Sequence, residues 1–166
     1  MATTGASPVA VTDGCPPGQE GLVASSLALE RSLRIGSTRF ALVTAGIQNR
    51  SGDAQADDAI AAWATLTNET PTVSAAAGST GRLAGSSALR LLSGTLAVFP
   101  ASAFDLAAGR VPDSGSVPTT ALRAADGTLA FRFPPTAGRW VLAFGVNWQS
   151  LCIKGDGVAY AFASTR

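Results

Sequence analysis

Between Arg139 and Gln149 the chain alternates side chains without a break. Trp140, Leu142, Phe144, Val146 and Trp148 take one parity; Val141, Ala143, Gly145 and Asn147 take the other. Period two is the repeat of a β-strand, whose successive side chains point to opposite faces. No helix places five such residues on one side. The large residues ask for a core, and the small ones ask for cover on the other face. This segment therefore predicts a central strand buried on both faces.

The neighbouring segments read the same way. Val158, Tyr160 and Phe162 alternate with Ala159, Ala161 and Ala163. Lys154-Gly155-Asp156-Gly157 reads as the turn joining this strand to the first. A second hairpin runs from Thr120 to Phe133 about Asp126-Gly127, a dipeptide suited to the positive dihedrals of a tight turn. Pro134-Pro135 then stops the strand. Residues 39–48 and 21–29 are further strand candidates. Residues 89–99 read either as a hairpin about Ser93-Gly94 or as one bulged strand. Residues 57–66 and 101–108 read as short helices, while 74–87 and 112–118 read as Gly/Ser-rich linkers.

These signals predict an all-β fold: an antiparallel β-sandwich, immunoglobulin-like or a similar Greek key. We expect seven to nine strands, with one or two short helices in the connections. Residues 21–166 form the domain, and 1–20 form a tail or edge segment. The aromatic strand and Tyr-bearing last strand resemble the last hairpin of bacterial immunoglobulin-like sandwich modules. That resemblance covers residues 139–166 and implies no functional residue.

Composition removes several chemistries. There is no histidine, so Ser-His-Asp and Cys-His catalysis and His-ligated metal sites are excluded. A formal charge of +1 gives no footprint for duplex nucleic acid. No apolar run is long enough for a membrane-spanning helix. Eleven of the 12 basic residues are arginine, and with abundant alanine this reads as a GC-rich, bacterial coding sequence. The first residues show neither the basic nor the apolar region of a signal peptide. The two cysteines, Cys15 and Cys152, are expected to form one disulfide. Such a bridge would close a long loop, stabilise by roughly 4–5 kcal/mol and imply export to an oxidising compartment.

Few residues point to a site. Asp53, Asp57 and Asp58 are weak Ca²⁺ candidates, and read first as a loop and a helix N-terminus. The Gly78–Gly85 stretch lacks the Gly-Lys-Ser/Thr of a phosphate loop and reads as a surface loop. Trp148, Trp63 and Tyr160 are the candidate contacts to a ligand or partner. Trp140 and Trp148 are in phase with the core face, which favours a packing role. No acid pair and no nucleophile elbow is visible, and no cofactor is implied. The expected function is a non-catalytic binding or interaction module, secreted, periplasmic or at the cell surface, with a protein or carbohydrate partner. The alternatives are a virion or assembly subunit, such as a decoration or tail protein, and a carbohydrate-binding module.

Overall fold

The computed structural model describes residues 32–49, 54–56, 62–86, 89–113, 115–150 and 153–166. The protein is all-β, built on an antiparallel sheet. The first strands are β1 (Ser32–Ile35), β2 (Thr38–Ala41), β3 (Val43–Asn49), β4 (Ala54–Ala56) and β5 (Thr72–Ala75). They are followed by β6 (Thr80–Gly85), β7 (Arg90–Pro100), β8 (Thr120–Ala125) and β9 (Thr128–Arg132). The last two, β10 (Gly138–Ser150) and β11 (Ile153–Thr165), are the longest. The strands follow one path, β2-β1-β6-β9-β8-β7-β10-β11-β3-β4, and β5 adds to β11 in parallel. With eleven strands, the described residues exceed the seven to nine expected. The path curls toward closure, and β2 at one end comes close to β11.

The alternation in β10 produces the expected core face, whereas the small-residue face is only partly covered and Asn147 is exposed. Leu142, Phe144, Val146 and Trp148 enter the main core, with Trp140 packed at its margin. Val141 enters a second, smaller core on the other face with Phe99, Phe162, Ala97 and Leu66. Phe40 stacks on Phe144 at 6.2 Å, and Phe131 meets the same ring edge-on at 5.2 Å. Inside the curled sheet, β2 and β9 thus pack against β10. Burying each Leu or Phe contributes roughly 1.5–3 kcal/mol.

Two segments of the chain change neighbours along the sheet. The expected 39–48 strand is divided at Leu42: β2 pairs with β1, and β3 pairs with β11. The β8–β9 hairpin forms as expected. Asp126 and Gly127 have φ of 53° and 74°, both positive as a two-residue hairpin turn requires. Its arms then part. Only Ala124 and Ala125 of β8 pair with β9, whereas the residues from Thr120 to Arg123 pair with β7.

Several expectations need correction. Residues 74–87 are not a linker but hold the end of β5 and all of β6. Glycine there serves space: a Cβ on Gly81 would lie 2.3 Å from the Phe131 ring. The Lys154-Gly155-Asp156-Gly157 segment is not a turn but lies inside β11, because Ser150 already pairs with Ile153. A Cβ on Gly155 would lie 2.3 Å from the Trp148 ring, so glycine is required by the neighbour and not by a turn. There is no hairpin about Ser93-Gly94. Residues 90–100 are the single bulged strand β7, which passes from Ser93 opposite Asn147 to Leu91 opposite Trp148. Within 57–66, Ala62–Thr65 is a 3-10 turn. Within 101–108, Ala101–Ala103 is one, followed by a turn bridged between Asp105 and Arg110. Residues 1–29, with the tail and the first strand candidate, lie outside the described residues.

Candidate functional site

The predicted contact residues do not converge. Trp148 is fully buried, which corrects its reading as a surface contact: its ring fills the main core over Gly155. Among the described residues its indole Nε1 has no hydrogen-bond partner, and neither do the buried hydroxyls of Thr44 and Ser150. Trp63 is half-buried on the Ala62–Thr65 turn, with Gly109 close to its ring. Tyr160 is half-buried beside Phe104, at 6.3 Å edge-on, and burial pushes its phenol pKa up. Cys15 and Cys152 lie outside the described residues, as do Asp53, Asp57 and Asp58. Among the described residues no group of acids or cysteines could hold a metal ion.

Two clefts remain. The first, about 530 Å³, lies over the smaller core. Phe104, Leu66 and Phe162 line it, with Asn68, Asp105 and Arg139 at its margin. The Arg139 guanidinium sits 5.1 Å above the Phe162 ring, a cation–π contact. Asp105 is held by the Arg110 guanidinium at 2.8 Å and by the Ala108 N–H at 3.1 Å. These bonds favour the charged carboxylate and hold its pKa below the ordinary value.

The second cleft is larger, about 630 Å³, and more apolar. It lies where β8 leaves β9 for β7. Leu96, Val98, Leu122, Phe131, Phe133 and Trp140 line it, and Thr80, Thr120 and Arg132 stand at its margin. Leu96, Leu122, Phe131 and Phe133 are buried residues of the main core, so the cleft is an opening into that core. Its end wall is well fixed. Trp140 Nε1 donates to Thr165 Oγ1 at 3.0 Å, and that hydroxyl donates to the Thr136 carbonyl at 2.7 Å.

The main chain along this cleft is open as well. The Phe133 N–H donates to the Ser79 carbonyl at 2.9 Å, toward β6. Successive residues of a strand direct their amides to opposite edges. The N–H and C=O of Arg132 therefore face the cleft. On the other wall, Ala121 shares its edge with Ala125, which pairs across the hairpin with Thr128. Had the hairpin continued in register, Ala121 would face Arg132. It does not: the pairing of β8 with β9 stops at Ala124, and Ala121 stays opposite Thr95 of β7 on the other side of β8. Nothing local in 120–133 announces this parting, so the sequence reading saw a plain hairpin and missed Arg132 and Ala121.

No protein-family model, no curated protein and no solved structure matches the chain.

Proposed function

We propose that the protein is a non-catalytic binding module whose partner is a protein, seated in the β8–β9 cleft. The observation that carries this reading is the cleft itself: an apolar opening of about 630 Å³ into the main core, with polar groups at its margin. Concave apolar sites with a few placed polar groups are the usual form of a recognition site. The non-catalytic part is supported by the described acids, none of which is buried. A carboxylate in water has no environment that would raise its pKa for acid catalysis. Protein is favoured over carbohydrate because Trp148 is enclosed and Tyr160 and Trp63 are half-covered, so these rings offer no flat platform for a sugar.

The reading takes the curled sheet as a sandwich of the immunoglobulin-like or Greek-key kind, supported by the Phe40, Phe131 and Phe144 ring contacts inside it. It places the module outside the cytosol of a bacterium, on the arginine-rich composition and the expected Cys15–Cys152 bridge. The test is capture from bacterial envelope extract by the immobilised chain, beside a glycan array. We expect a protein retained by the native chain, lost with Val98→Glu, and kept with Asn68→Ala in the first cleft. Glycan binding that survives Val98→Glu would overturn the proposal.

A further inference from the structure

We infer that the cleft takes an extended strand of the partner, added to the open edge of β9, with apolar and acidic side chains in alternation. The inference rests on the reading of the cleft as a protein-binding site and specifies how it binds.

Three observations converge. First, Arg132 pairs with Thr80 of β6 on one edge of β9, and on the edge that faces the cleft no strand among the described residues pairs with it. An amphiphile filling the cleft would leave these amides dry and unpaired, at a cost comparable to a lost hydrogen bond. An incoming polypeptide backbone satisfies them. Second, the floor below that edge is apolar and contiguous with the core through Phe131, Phe133 and Leu122. A strand on β9 directs every second side chain into it. Third, the other side chains of that strand would extend the outer face of the β2-β1-β6-β9 part of the sheet, and this face is basic. Its four strands carry Arg34, Arg39, Arg82 and Arg132 and not one carboxylate. Arg132 makes no ion pair among the described residues. Opposite charges in directly facing cross-strand positions attract, and like charges repel. The inward positions of the partner strand are therefore apolar and the outward ones acidic.

The test uses the full chain and synthetic peptides, read by titration calorimetry and by hydrogen exchange of the Arg132 amide. The main probe is an acetylated nonapeptide of alternating valine and glutamate. We expect it to bind at micromolar concentration and to slow exchange at Arg132 at least tenfold. The alternating valine–lysine peptide should bind at least tenfold more weakly. N-methylation of the residues whose N–H faces β9 should have the same effect, with charge unchanged. Arg132→Glu, an exposed position that leaves the core intact, should reverse the preference between the two peptides. Equal binding of the methylated peptide, or of a peptide with the same residues in two blocks, would overturn strand addition in favour of plain charge attraction. Absence of peptide binding while Val98→Glu still abolishes envelope capture would overturn the strand mode and leave the cleft as the site. Self-association of the chain that Arg132→Glu disrupts would replace the acidic partner with a second copy.

Discussion

Glycine has two uses that look identical in a sequence. One is conformational: Gly127 at φ 74° permits the β8–β9 turn. The other is volumetric, and at Gly155 it decides. A Cβ there would meet Trp148 Cζ2 at 2.3 Å and the Gly46 carbonyl at 2.8 Å, and the indole is enclosed on all sides. Gly155→Ala should cost roughly 2–3 kcal/mol by overpacking. Gly115→Ala, with nothing within 4 Å of the added carbon, should stay within about 0.5 kcal/mol. Urea denaturation of the two variants compares them, and equal stabilities would contradict the packing account. In the sequence the Gly-Asp-Gly cluster reads as a turn, because the ring that forbids a side chain at Gly155 belongs to another strand.

Asp105 gives a residue-scale prediction in pH. Its depressed pKa means that the charged form is favoured in the folded chain, so its contribution is present above the unfolded value and is lost as pH falls through the folded one. The side chain is about half-exposed, so solvent screens the effect and it belongs to the local turn. Carbon-detected NMR should place its midpoint below 3.8, and Arg110→Gln should move it up. An unchanged midpoint would remove Arg110 as the cause.

At the scale of elements, β10 was legible from its residues alone. The large-residue face is buried from Leu142 to Trp148, while the small-residue face is buried at Val141, half-buried at Ala143 and Gly145 and exposed at Asn147. The Asp126-Gly127 turn and the stop at Pro134 were legible for the same local reason. What could not be read was partner choice. Whether β8 continues along β9 or crosses to β7 depends on Ser93 to Leu96, far away in sequence. The cleft, and with it the candidate site, is a product of that choice. Strand β6 was missed because Gly81 and Gly85 disguise the alternation that Leu83 and Arg82 carry.

Across the whole molecule, the two cores share strands. Val141 and Leu142 are adjacent residues of β10, and each is fully buried in a different core. Neither core can melt while the other keeps β10 in place. Phe99→Ala, in the smaller core, should therefore lower the stability of the whole by about 3–5 kcal/mol in one transition. Far-UV circular dichroism and tryptophan fluorescence should report coincident midpoints in urea. Separate midpoints would show that the smaller core is an independent unit.

Strand β11 comes last in chain order among the described elements, yet β10, β3 and β5 all pair with it. A polypeptide is made from its amino end. While the ribosome is still at work, β3 and β5 have emerged but lack the strand that will hold them, and the aromatic face of β10 has one neighbour instead of two. Four of the eleven described strands, β3, β4, β5 and β11, therefore join the sheet only after β11 is released, through contacts between distant parts of the chain that close slowly. Until then the nascent molecule exposes bare strand edges to its neighbours, and it needs an escort or dilution to reach the folded state without clumping.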